Sequence, residues 1–150
     1  GGLSGRFVTG NYDVFNNSLG QPGCGSLGSI VNAGSPLMTG VSSLDSGYGA
    51  NCNRVTLKAG ATLVASWSTG QPMAATRTDH AAPVVGINLY PVSSSVSAEL
   101  WNASTDGARL FANALNYVGA APLAVVPEPG SLALAGLAVL AAFTVRRRRA

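Results

Sequence analysis

Cys24 and Cys52 are the only two cysteines, and His80 the only histidine, in this chain of 150 residues. In an oxidising compartment the two thiols can join, closing a loop of about 28 residues and adding roughly 3 kcal/mol. Two separate thiols and a shared metal site are the alternatives. Gly, Asn and Ser surround both cysteines, as in a stapled surface loop. Cys24 sits in Gln21-Pro22-Gly23-Cys24-Gly25-Ser26 without the apolar strand that presents a nucleophile at a strand-to-helix elbow. Asp79-His80 could be a catalytic pair or half of a metal site, but Thr78-Asp79-His80-Ala81 reads as a solvated turn. Asp13, Asp45 and Asp106 lack calcium-loop spacing. Gly47-Tyr48-Gly49 follows no strand–helix phosphate pattern, and Ser93-Ser94-Ser95 has no Gly-x-Ser-x-Gly context. Trp67, Tyr90 and Trp101 could form a sugar-binding face, although single aromatics on strands are usually core. The sequence therefore predicts no catalytic set, no cofactor and no metal.

The elements that must position these residues are clearest between Arg54 and Leu89. Val55-Thr56-Leu57 precedes a turn at Lys58-Ala59-Gly60. Ala61 to Trp67 reads as a strand rich in β-branched and aromatic residues, Ser68-Thr69-Gly70-Gln71 as a hairpin connection, and Pro72 to Thr78 as its return. Pro83 to Leu89 makes a further strand, with Val84-Val85-Gly86-Ile87 continuously apolar as if covered on both faces. The segment Asp106 to Val118 is the best helix. Thr105 or Asp106 can cap it and Gly119 can close it, with Phe111, Ala114, Leu115 and Val118 on one packing face. Before Arg54 we expect short strands at Gly5–Thr9 and Tyr12–Phe15, a long irregular loop, and a turn at Ser35–Val41.

The end of the chain is organised differently. Pro127-Glu128-Pro129 is held extended by two prolines that fix φ and remove donors. From Gly130 to Val145 no residue is charged, and Leu132, Leu134, Leu137, Val139, Leu140, Phe143 and Val145 supply the apolar bulk. As a helix this run would be roughly 24 Å long, against a bilayer core of about 30 Å. It can span if its ends snorkel or the bilayer thins. Arg146, Arg147, Arg148 and Arg149 then stay on the cytoplasmic side, which places the preceding residues across the membrane.

Proline-glutamate-proline, a Gly/Ala/Leu-rich helix and a terminal arginine cluster, in that order, resemble the PEP-CTERM sorting signal of Gram-negative bacteria. The resemblance covers about a sixth of the chain. It implies an exosortase-type processing enzyme as partner, acting near Pro127-Glu128-Pro129, with membrane lipid around residues 130–145. It also implies an inner-membrane stage with a periplasmic body, then the cell surface or exterior, where exopolysaccharide is a further partner.

The tail also explains the charge. Of nine Lys and Arg, four are Arg146–Arg149, so five basic residues face six acidic ones elsewhere, a net of −1 rather than the whole chain's +3. No basic stripe remains for nucleic acid. Charged residues are 10% of the chain, well below the usual ~25%. The start, Gly1-Gly2-Leu3, carries no initiator Met and no export signal, so we expect a fragment of a longer protein.

A second resemblance covers residues 35 to 118. Pro36-Leu37-Met38-Thr39-Gly40-Val41, the hairpin Leu63-Val64-Ala65-Ser66-Trp67 with Gly70-Gln71-Pro72-Met73, the strand Val84 to Pro91 and the helix 106–118 resemble the C-terminal half of class I glutamine amidotransferase-like domains. That implies an α/β fold: a partial flavodoxin-like layer with a β-meander over residues 55–89, a packed helix over 106–118 and a C-terminal transmembrane helix. The expected organisation is a body at 1–119, a linker at 120–126 and the sorting signal at 127–150, with its spanning helix at 130–145. The leading expectation is an exported, non-catalytic surface protein. The alternatives are a hydrolase or amidotransferase-like enzyme with its nucleophile upstream, and a carbohydrate-binding envelope module.

Overall fold

A computed structural model describes residues 5–18, 23–50, 52–90, 93, 95–97 and 99–120. In chain order the elements are α1 (Arg6–Thr9), β1 (Phe15–Ser18), β2 (Leu27–Ile30), a 3-10 turn (Pro36–Met38), β3 (Arg54–Leu57), β4 (Thr62–Trp67), β5 (Pro72–Arg77), β6 (Val84–Ile87) and α2 (Gly107–Gly119). The described part is thus mainly β-sheet, with one helix longer than a single turn.

The predicted meander forms. β4, β5 and β6 pair in succession, and β2 adds to the far side of β4, giving the order β2-β4-β5-β6. At the β4–β5 turn, Gly70 N–H donates to the Trp67 carbonyl (2.8 Å) and Trp67 N–H to the Gln71 carbonyl (2.8 Å). Gly70 holds φ at 83°, the left-handed position that a three-residue hairpin loop requires. Every strand pairing among the described residues is antiparallel. A flavodoxin-like layer is parallel, with helical crossovers between its strands, so the described strands do not form the expected one.

Two layers cover the four-stranded sheet. The β5–β6 register and side-chain alternation put Ala75, Arg77, Val84 and Gly86 on one face, and Ala74, Thr76, Val85 and Ile87 on the other. The separate β1–β3 ribbon lies against the first face, where a Cβ at Gly86 would run into Val14 and Phe15. The 3-10 turn and α2 cover the second. This arrangement explains why Met73 to Arg77 are all buried.

Arg77 is the unusual member, a charge with 2% of its surface exposed. Its Nε and Nη2 donate to Asp79 (2.7 and 2.6 Å), and its Nη1 donates to the carbonyls of Asn11 (2.6 Å) and Asp13 (2.9 Å). Such complete pairing is what lets a buried guanidinium persist. It ties the N-terminal segment to the sheet, and Lys58 adds an ion pair to Asp13.

The N-terminal expectations need correction. Gly5–Thr9 forms a single helical turn rather than a strand, with the Thr9 hydroxyl bonded to the Gly5 carbonyl. The next strand begins at Phe15 instead of Tyr12, and β2 occupies part of the predicted loop. Its Gly28 lies so close to the Trp67 backbone that any Cβ would collide with it.

The helix also differs in detail. Asp106 stands at its N-cap without a capping side-chain bond, and Gly119 lies in the last helical turn instead of closing it. Leu110 and Ala114 are buried, whereas Leu115 is 70% exposed. The packed stripe is rotated from the predicted one because Asn113 Nδ2 donates to the Leu37 and Thr39 carbonyls (both 2.9 Å), stapling α2 to the 3-10 turn. No helix among the described residues is long and apolar enough to cross a membrane. The predicted spanning helix at 130–145, and nearly all of the linker, lie outside those residues.

Candidate functional site

Cys24 and Cys52 are joined by a disulfide, with Cα atoms 5.2 Å apart and a sequence separation of 28. Both are buried in the main core with Leu37, Leu44, Trp67, Met73 and Leu110. The expected surface loop is therefore a core staple. Asn88 sits beside it, buried, and fastens three segments. Its Nδ2 donates to the carbonyls of Asn53 (2.9 Å) and Pro72 (3.1 Å), while its Oδ1 accepts from Asn53 N–H (3.1 Å). Its own carbonyl accepts from Trp67 Nε1 (3.0 Å). Nothing in the pattern around Asn88 marks it as a hub, since only the tertiary fold brings residues 52–53, 67 and 72 to it.

These contacts decide the fate of the other sequence candidates. Cys24 carries no free thiol. His80 Nε2 lies 2.9 Å from the Asn11 carbonyl, and its ring centroid lies 4.9 Å from that of Tyr12. Asp79 is engaged by the Arg77 guanidinium, which lowers its pKa to about 2. Trp67 is 1% exposed and Tyr90 71% exposed, so Trp67, Tyr90 and Trp101 do not present one aromatic face. Asp45 accepts from Gly47 N–H (2.9 Å), and Ser93 and Ser95 bond to each other (2.7 Å). Among the described residues no group of three or more His, Cys, Asp and Glu could hold a metal ion.

Asp106 has a similar structural duty. One carboxylate oxygen accepts from the backbone N–H and hydroxyl of both Ser42 and Ser43, at 2.9 to 3.1 Å. The two N–H donors, then the hydroxyls, favour its ionised form and lower its pKa to about 2. The start of α2 is thereby locked to the loop after the 3-10 turn.

A concavity lies at the other end of α2. It measures about 600 Å³, inside the ~300–1,000 Å³ range of small-ligand sites. Pro36 and Thr39 come to it from the 3-10 turn, Thr78, His80 and Pro83 from the β5–β6 connection, and Asn116 and Tyr117 from α2. Tyr117 also packs against the core, which fixes one edge of its ring. Among the described residues no Asp, Glu, Lys or Arg lines it. None of these residues except His80 was a sequence candidate, because they are scattered from position 36 to 117 among ordinary polar residues.

Residues 125–149 match the family described as the PEP-CTERM protein-sorting motif. The chain carries a PEP-CTERM sorting signal. The match contains Pro127, Glu128 and Pro129, the apolar residues from Leu132 to Val145, and Arg146 to Arg149, all outside the described residues. The signal indicates a protein sorted by exosortase and destined, after processing, for the cell surface or exterior in Gram-negative bacteria. No curated protein and no solved structure matches the chain, and the amidotransferase resemblance finds no support there.

Proposed function

We propose that this is an exported, non-catalytic surface protein whose body is held at the inner membrane by its C-terminal segment until exosortase-type processing releases it. The PEP-CTERM match at residues 125–149 carries the reading. The physics of the segment agrees with a temporary anchor. Residues 130–145 form a short apolar run that spans with strain on its ends or on the bilayer. Arg146 to Arg149 hold their end in the cytoplasm. The Cys24–Cys52 disulfide supports an oxidising destination for the body. The non-catalytic part is favoured by the way folding uses the reactive side chains: Cys24 in a disulfide, Asp79 on Arg77, and His80 against Asn11 and Tyr12.

The test is fractionation in a host that carries the sorting enzyme. Deleting 127–150 should abolish membrane retention, and Glu128→Ala should leave an unprocessed precursor in the membrane fraction. Unchanged fractionation and processing in both would overturn the proposal.

A further inference from the structure

The groove between the C-terminal half of α2, the 3-10 turn and the β5–β6 connection has the chemistry of a binding site for an uncharged, polyhydroxylated ligand. Thr39, Thr78 and Tyr117, which carry hydroxyls, and Asn116, which carries a side-chain amide, all line it. Among the described residues none of these four groups has an intramolecular hydrogen-bond partner. By contrast, Asn88 and Asn113 are bonded to backbone, and Ser42 and Ser43 to Asp106. Four unused groups around one concavity form a set of donors and acceptors open to a ligand.

The set also selects among ligands. Among the described residues the lining holds no Lys or Arg to counter a phosphate or carboxylate and no Asp or Glu to counter an ammonium group, and the ring nitrogen Nε2 of His80 is engaged by the Asn11 carbonyl. A peptide is recognised through a sheet edge or a wide apolar trough, whereas this lining comes from a helix and two turns. The half-buried Tyr117 ring and the rings of Pro36 and Pro83 supply flat apolar surface beside the hydroxyls and amide. Apolar plates edged with both donors and acceptors match a sugar ring, which has C–H faces and a rim of hydroxyls. We infer that this groove binds a neutral oligosaccharide segment, with Asn116, Thr39 and Thr78 reading hydroxyls and Tyr117 supporting a ring face. The site is distinct from the Trp67, Tyr90 and Trp101 trio, and the inference does not depend on how the tail is processed.

The experiment is isothermal titration of the full chain in a detergent without a sugar headgroup. The probes are neutral pentasaccharides (cellopentaose, maltopentaose, laminaripentaose and xylopentaose), with tetragalacturonic acid as the anionic control. At least one neutral probe should bind, and Asn116→Ala and Thr78→Ala, both at exposed positions, should each weaken it several-fold, up to about tenfold. Tyr117→Ala should abolish binding while Tyr117→Phe retains most of it, and Tyr90→Ala, away from the groove, should change nothing. Three results would each overturn the inference: no heat with any neutral probe at ~10 mM, which would exclude even a Kd in the low-mM range, preference for the anionic probe, or binding indifferent to Asn116→Ala and Thr78→Ala.

Discussion

Two polar regions of this molecule use the same side-chain chemistry to opposite ends. At Asn88 both side-chain polar atoms are bonded to neighbouring backbone, and the backbone carbonyl takes the Trp67 indole N–H. At the α2 groove, Asn116, Thr39, Thr78 and Tyr117 keep their polar groups unpaired by the fold. A buried amide must be satisfied internally or it costs about 1–3 kcal/mol, so the Asn88 region answers to stability. The groove is open to water, bears no such penalty, and is free to answer to a ligand.

The contrast breaks first at the disulfide beside Asn88. Reduction, or the double substitution Cys24→Ser with Cys52→Ser, should lower unfolding stability by roughly 3 kcal/mol. Denaturant titration with and without reductant measures this, and mass spectrometry after alkylation should find no free thiol before reduction. Next is Asn88→Ala, expected to cost about 2 kcal/mol by leaving the Asn53 and Pro72 backbone groups without their partner. A shift of the Trp67 emission in that variant would report the loosened pocket.

Acid should act through a third place. Asp79 and Asp106 have pKa values lowered from 3.8 to about 2 in the folded chain. Their ionised forms therefore stabilise the fold fully above pH 3.8, and that contribution is lost as pH falls toward 2. Melting temperatures recorded from pH 5 to 2 should fall across this window, and Asp106→Asn should flatten the profile while lowering its plateau. The smallest effect belongs to the groove. Asn116→Ala should change stability by less than about 0.5 kcal/mol, since folding makes no use of that amide. A larger loss would mean that the groove serves the fold as the Asn88 region does.

Local signals made much of the framework legible. The strands of the meander lie where β-branched and aromatic runs end at Gly- and Pro-containing turns, and α2 is displaced by one residue from its predicted span. Where the reading failed, a tertiary partner had overridden the local signal. β2 is a strand because Leu27 to Ile30 pair with β4, a contact invisible in a stretch containing Gly28 and Ser29. The α2 face is rotated because Asn113 is fastened to the 3-10 turn. The aromatic trio fails as a face because Trp67 fills the core. The groove was not legible at all, as its residues come from three segments joined only by folding.

By itself the sequence determined the route: a Pro-Glu-Pro corner, an uncharged run and four arginines act through order and local composition, which need no fold to be read. It also determined the hairpins, whose turns are set by neighbouring residues. The tertiary structure alone decided that β2 joins the sheet, that the disulfide lies in the core, and that Asn88 is spent while Asn116 is spare. Those properties depend on contacts between residues distant in sequence, where burial rather than residue type dictates whether a polar group must be satisfied within the protein or remains open to solvent and ligand.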